Sequence, residues 1–428
     1  MRRFLLLSGL IYLLLLLGLA TRDGRLLLLV VPLVTYLGAA LLYRPEKLQL
    51  RVSRALSADR GLQGAPVVVK LSITNEGSML EEVLIKDLLP QPLEPADGEA
   101  RVLASLPPGG TIELEYTVIA RRGIFDFGDV QVTASDRLGL FRRRAVLSAP
   151  AHLVVLPDTL RLRRLPIRPL RTRGYAGPVP ARQGGSGVDF FGVREYQLGD
   201  PQRWINWRIS ARHVHELFTN EFEQERIADV GLILDARQRS EARVLGDSLF
   251  EHAVRATASL AEAFLRDGNR VGLLVYGRFL DWTFPGYGKV QRERILQALA
   301  RAEVGESLVF DKLDYLPTGF FPAQSQIVLI SPLWRGDLPA LIRLRAHGYQ
   351  VLVIRPDPVA FEVNALGPEP SVELAARILR VERSLLFRNL RQVGIQVVDW
   401  QVDKALDHAV HASLGRVPHW FRAVGMEP

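Results

Sequence analysis

The 428-residue chain has no cysteine, which excludes disulfide staples, thiolate metal sites, zinc ribbons and cysteine nucleophiles. It also lacks any extreme of composition. Hydrophobic residues make up 48% and charged residues 23%, which excludes collagen-like and wholly disordered chains. Nor is charge of one sign spread along it. The net charge is +8, yet residues 1–51 hold seven basic and two acidic side chains, and residues 159–188 hold seven arginines and no acid. Outside those two zones the chain is slightly acidic. A near-neutral body with two basic zones does not read as a nucleic-acid binder, and no nucleic-acid partner is expected.

Catalytic signatures are absent as well. Gly288-Lys289 resembles the end of a phosphate loop, but Val290 replaces the required Ser/Thr and Thr283 stands where the first glycine belongs. Ser186 lies among glycines, yet Val188 breaks the nucleophile elbow. His213/His215 and His408/His411 have no third ligand at metal-site spacing. No catalytic residue, metal or cofactor is assigned.

Long apolar runs lie at the start, over residues 4–20 and 26–43. Each is near the short end of the ~17–25 residues that cross ~30 Å of hydrocarbon. Backbone in lipid must satisfy its own hydrogen bonds, so residues 1–47 read as a two-helix transmembrane hairpin. A cleaved signal peptide fits less well, because a second apolar run follows and no small-x-small site precedes a polar start. Arg2, Arg3, Arg44, Lys47 and Arg51 flank the hairpin, against Arg22 and Arg25 in its turn. Positive-inside counting therefore expects a two-pass protein with a cytoplasmic body.

Residues 48–150 alternate apolar and polar side chains in short stretches such as PVVVKLSITNEG and TIELEYTVIA. This spacing predicts an immunoglobulin-like antiparallel β-sandwich, serving as a spacer or a ligand-binding module. Residues 151–187 are rich in Pro, Arg and Gly and read as a linker or surface arm. Its arginines suit anionic headgroups or an acidic protein. Over 227–428, buried strands at 230–235, 270–276, 326–331, 350–354 and 395–400 alternate with amphipathic helices at 248–266, 291–302, 338–347 and 372–393, and one from 403. An antiparallel edge strand is expected at 279–284. That pattern predicts a Rossmann-type α/β domain with a mostly parallel sheet. Ligands of such folds bind at the carboxyl ends of the strands, here Asp235, Tyr276, Ser331, Arg355 and Trp400.

The segment 188–226 stands apart. Phe190/Phe191 and Trp204/Trp207 are interleaved with arginines and acids, a composition suited to a fixed charge network or to a docking surface. Asp200 is placed to cap a helical turn running from Pro201 to Trp207. Arg194-Glu195-Tyr196-x-x-Gly199-Asp200-Pro201-x-Arg203-x-Ile205-x-Trp207-x-x-Ser210-Ala211-Arg212, followed by Asn220-Glu221-Phe222-Glu223-Gln224-Glu225, resembles the hallmark of the bacterial family called domain of unknown function 58 (DUF58). Arg122-Gly123-x-Phe125-x-Phe127-Gly128 and Asp136-Arg137-Leu138-Gly139-Leu140-Phe141 resemble the end of that family's sandwich region. The resemblance implies a bacterial inner-membrane protein with a von Willebrand factor A-like domain after the hallmark. It also implies partnership with a MoxR-type AAA+ ATPase, in a chaperone-like or assembly role.

A metal-binding domain of that type carries Asp-x-Ser-x-Ser at the end of its first strand, an oxygen set suited to Mg²⁺. Here Asp235 is present, but Arg237 and Arg239 stand at the serine positions, and Ser331 lies near the expected late acid. A guanidinium cannot ligate a cation and is able instead to pair with Asp235. The expectation is a membrane-anchored, non-catalytic interaction scaffold whose partners are the bilayer, a MoxR-type ATPase and a client protein. The alternative is a hydrolase using the acids and arginines of 194–225.

Overall fold

The computed structural model describes residues 2–42, 48–135, 142–163, 165, 167, 172–173, 179–213, 216–307, 309–367 and 369–414. The chain divides into two compact units, Met1–Leu156 and Pro157–Pro428.

The first unit begins with two apolar helices, α1 (Arg2–Thr21) and α2 (Gly24–Leu42). Between them Arg22 takes a left-handed φ of 51°, and the Asp23 carboxylate accepts from the Arg25 amide at 2.9 Å. The helices pack closely where Gly18 meets Leu27; a Cβ on Gly18 would lie 2.8 Å from that side chain. The span Phe4–Thr21 is long and apolar enough to cross a membrane, with mean hydropathy 2.4, while Gly24–Ala40 is a shorter apolar helix.

Among the described residues of this unit nine strands follow: β1 (Leu50–Leu56), β2 (Arg60–Leu62), β3 (Pro66–Asn75), β4 (Leu80–Asp87), β5 (Pro95–Asp97), β6 (Arg101–Leu106), β7 (Thr111–Ile119), β8 (Gly123–Ser135) and β9 (Arg142–Leu156). They form a four-stranded sheet, β1-β3-β7-β5, and a five-stranded sheet, β2-β9-β8-β4-β6. Alternate residues such as Val69, Leu71 and Ile73 of β3 and Val130 and Val132 of β8 are fully buried in one shared core. Each such side chain contributes about 1.5–3 kcal/mol. A buried polar group ties the two sheets: Arg54 and the Tyr116 hydroxyl (2.7 Å) both donate to Asp87, and Arg54 also lies 5.2 Å over the Phe127 ring.

The second unit opens with an arm. Leu162 and Leu165 are buried, the Leu160 amide donates to Ser259 at 2.9 Å, and Arg163 pairs with Asp407 at 2.7 Å. After it come β10 (Thr172–Arg173) and β11 (Val179–Glu195), then α3 (Trp207–Ser210) and the long β12 (Phe218–Ala236). The segment read as a linker to residue 187 thus ends in a strand. β11 pairs antiparallel with the first half of β12, and its Gly-rich stretch appears as register shifts between Ala181 and Gly192. Glycine lowers strand propensity, but pairing along a partner strand overrides it.

The second half of β12 is the centre of a mostly parallel sheet, ordered β16-β15-β12-β17-β18-β19. Its other members are β15 (Arg270–Gly277), the antiparallel edge β16 (Leu280–Gly286), β17 (Gln326–Ile330), β18 (Gln350–Pro356) and β19 (Gln396–Trp400), and the short β13 (Arg243–Val244) and β14 (Asp247–Ser248) form a separate ribbon. The helices are α4 (Leu249–Arg266), α5 (Gly288–Arg301), α6 (Leu338–Ala346), α7 (Pro358–Leu366), α8 (Pro370–Gln392) and α9 (Leu406–Leu414). Ile233, Leu329, Val353 and Val397 share a core with Leu341 and Leu344 of α6 and Leu386 and Leu390 of α8. The alternate residues Leu232, Leu234, Val328 and Ile330 turn to the opposite face, where α4 packs. On the α6 face Gly231 admits the Phe321 ring; a Cβ there would sit 2.6 Å from it. The helix expected at 372–393 is α8, and a further helix not expected from the sequence, α7, precedes it. Pro358 and Pro370 each start a helix, and Gly367 at φ 82° ends the first.

Candidate functional site

Strand β12 carries both groups of residues singled out in the sequence, one at each end. The hallmark lies at its start, where Val193 pairs with Asn220 and Arg194 with Thr219. Asp235 lies at its finish, about 50 Å along an extended strand. The two groups are therefore separate sites on one rod.

The hallmark folds as a pinned loop. Arg194 bonds Asp200 at 2.7 Å and approaches Glu221 at 3.5 Å. Asp200 also accepts from the Gln197 amide at 2.9 Å. The Arg194 hydrogen bond, with that amide, holds the Asp200 carboxyl below its ordinary value, and the same pairing raises Arg194. Gly199 supplies a φ of 111° for the turn, and the Tyr196 hydroxyl donates to the Asp200 carbonyl at 3.3 Å. Asp200 is a turn residue, not a helix cap. The cap is Asn206, whose side chain accepts from the Ile209 amide at 3.1 Å and donates to Asn220 at 2.8 Å. Because Pro201 breaks into a three-residue 3₁₀ turn (Gln202–Trp204), α3 starts only at Trp207. Ser210 is buried and accepts from the Phe218 amide at 2.9 Å, and Ala211 closes α3.

What remains points outward. Trp207 is 67% exposed, Leu198 is fully exposed, and Arg203, Arg208, Arg212 and Glu195 are exposed as well. Arg203 lies 5.9 Å over the Trp204 ring, a cation–π contact. The side chains of Glu223 and Glu225, and the whole 136–141 motif, lie outside the described residues.

At the other end of β12, Arg237 fills the position at the carboxyl edge of the sheet. Its guanidinium donates to both oxygens of Asp235 (Nε 2.8 Å, Nη2 2.7 Å) and both of Asp337 (Nη1 2.8 Å, Nη2 3.0 Å). Ser331 adds its hydroxyl to Asp235 at 2.6 Å, and Arg239 reaches Asp337 at 3.2 Å. Arg237 is 2% exposed, Asp235 2% and Asp337 0%. Burial drives the Asp235 carboxyl up, but Arg237 and then Ser331 outweigh it and hold the group below its ordinary value. Burial likewise opposes the charge of Arg237, and the two carboxylates more than restore it. The adjacent Tyr276 hydroxyl, pushed up to about 12 chiefly by burial, donates to the Lys312 carbonyl at 2.6 Å.

The sequence put Ser331 near the expected late acid, and Ser331 does reach Asp235; the acid that joins the cluster, Asp337 just ahead of α6, was not singled out. A Trp-x-x-Asp turn ahead of a helix was the available signal, since Asp337 accepts from the Trp334 amide at 3.0 Å. A second cluster, buried at Arg355 and Asp357 and open to solvent at Asp399, was not foreseen. Arg355 at the end of β18 bonds Asp399 and Asp357 (2.8 Å) and lies 5.1 Å over Phe387, and Arg383 of α8 reaches Asp357 at 2.9 Å. Burial, then Arg355, lowers Arg383 to about 10. A base depressed in the folded state costs stability at neutral pH, and that cost fades as pH rises through the folded value. Arg383→Met is accordingly expected to leave the unfolding free energy within about 1 kcal/mol, read by urea denaturation at pH 7.

These two sites frame the comparison with known proteins. Residues 192–368 match the family described as Protein of unknown function DUF58. The match takes in the hallmark loop, β12 and the Arg237 cluster, and stops before α8. No curated protein matches the chain. Solved structures align over about a quarter of it: a FixG-related protein from Vibrio parahaemolyticus (11% identity, 25% of this chain and 95% of that one, TM-score 0.18), the CARDB domain of the PF1109 protein from Pyrococcus furiosus (15%, 26% and 92%, 0.19) and the GAE domain of GGA2p from Saccharomyces cerevisiae (14%, 25% and 95%, 0.17).

Proposed function

We propose that the protein is a membrane-anchored, non-catalytic scaffold that grips another protein, and that the grip is the outward face of the hallmark loop. In this reading α1 and α2 form a two-pass anchor in the bacterial inner membrane, with the body in the cytoplasm. The two sheets of the first unit serve as an immunoglobulin-like spacer sandwich, and the parallel sheet is a von Willebrand A-like domain. The partner is a MoxR-type AAA+ ATPase acting with a client protein.

The observation that carries the reading is the division of labour within the hallmark. Arg194, Asp200, Asn206 and Ser210 are engaged in hydrogen bonds that fix the loop, while Trp207 stands 67% exposed at its rim. A large indole held in water by a rigid support is what a hot spot looks like before its partner arrives. The sheet's carboxyl edge, where a substrate or ion would be expected, is filled by Arg237.

The test is co-purification of the full chain in mild detergent with the ATPase of this class from the same cell. Trp207→Ala is expected to weaken the complex about 30-fold, the loss typical of a central Trp, without lowering the melting temperature. Recovery of no ATPase, or equal recovery with both chains, overturns the reading.

A further inference from the structure

Helix α8 (Pro370–Gln392) has an apolar stripe that the described residues of its own fold leave exposed. Ala376, Leu386 and Leu390 face the sheet and are buried. On roughly the opposite side, at 100° per residue, lie Leu374, Ile378, Val381 and Leu385. They are 60%, 56%, 58% and 48% exposed. Their 4-3-4 spacing is that of a coiled-coil seam, with Leu374 and Val381 at d and Ile378 and Leu385 at a. Leu at d with Ile at a suits two strands, and the Val381/Leu385 pair is less selective.

The flanks say which partner fits. Arg377 falls at g and Glu382 at e of the next heptad. In a parallel, in-register pair of the same helix, g of one chain faces e of the following heptad on the other. Arg377 then meets Glu382 of the second copy, twice by symmetry. An antiparallel pair would set Arg against Arg and Glu against Glu. Among the described residues both make loose, exposed contacts within one copy, Arg377 with Glu373 at 4.0 Å and Glu382 with Arg335 at 3.5 Å. They are available for re-pairing.

We propose that α8 is a self-association element through which two copies of this chain pair in parallel along Leu374–Ile378–Val381–Leu385. A seam of two heptads falls short of the about 1,000 Å² that a stand-alone interface clears. The pairing is weak, and it tells where copies are concentrated.

The chain contains no cysteine, so single-cysteine cross-linking is clean. The full chain, reconstituted in liposomes, is compared as Ile378→Cys, Val381→Cys and the off-seam control Arg380→Cys under mild oxidation. Dimer bands at 378 and 381 but not at 380 are expected. Arg377→Glu and Glu382→Arg, each added to Val381→Cys, are expected to reduce the dimer yield about tenfold at limiting density, and the double reversal to restore it. Restoration cannot arise from misfolding, because the substituted side chains are exposed. Equal cross-linking at all three positions, or no recovery in the double reversal, overturns the proposal. It stands whether or not Trp207 binds an ATPase, since the loop variant leaves α8 unchanged.

Discussion

Arg237→Met is expected to lower the unfolding free energy by about 3–5 kcal/mol, the cost of stranding buried charge, and to reverse the response to mild acid. In the native protein one guanidinium satisfies four carboxylate oxygens with under a tenth of any group exposed. Removing it leaves Asp235 and Asp337 facing each other in low dielectric, where like charges repel and no water replaces the lost donors. The native Asp235 carboxyl is held below its ordinary value. Its contribution is therefore present at neutral pH and is lost as pH falls below the ordinary carboxylate range, about 4. In the variant only the Ser331 hydroxyl at Asp235 and Arg239 at Asp337 still oppose burial, which raises the folded value. Stability is then greatest below the unfolded value and declines as pH rises through the folded one. Thermal melts at pH 5 and pH 7 check this. The native chain should be little changed between them, and the Met variant more stable at pH 5. Adding Asp235→Asn and Asp337→Asn should recover most of the loss at pH 7, because the group left behind is then neutral.

The elements most legible in the sequence are those whose signal is local. The run Val230-Gly231-Leu232-Ile233-Leu234-Asp235 reads as a buried parallel strand because both faces are covered, and it is one. The apolar positions of α4 fall on one side, capped by Ser248. Two kinds of feature escaped. The first is polar strand pairing. The part of β11 up to residue 187 reads as linker because its partner, the Phe222–Arg226 stretch of β12, is itself mostly polar in sequence and carries no apolar alternation. The second is long-range charge pairing. The pairing of an arginine with Asp235 was legible, but nothing in the spacing says that Asp337 joins them; that encounter depends on β17 lying beside β12 and on the turn that follows it. Arg237 itself was legible as a departure, since a cation stands where a metal site needs hydroxyls. Helix α7 was not expected, although Pro358 at its first turn and Gly367 at its end are start and stop signals.

The same cluster supports a prediction of gain rather than loss. Arg237→Ser together with Arg239→Ser removes both guanidiniums from a pocket whose remaining groups are all oxygen: the Asp235 and Asp337 carboxylates, the Ser331 hydroxyl and the two introduced hydroxyls. A hard divalent cation takes this set, and two facing carboxylates require a countercharge that the variant no longer supplies. Without added metal the double variant should be destabilised about as much as Arg237→Met. With Mg²⁺ it should regain stability by mass action, about 2.7 kcal/mol at a hundredfold excess over its dissociation constant. The native chain, whose pocket is already filled by a guanidinium, should not respond at all. Melting temperature against Mg²⁺ concentration reads both. A native chain stabilised by Mg²⁺ as strongly as the variant would mean that Arg237 leaves its carboxylates in solution. A variant indifferent to Mg²⁺, yet folded, would mean that the oxygens at the end of β12 do not converge once the arginine is gone.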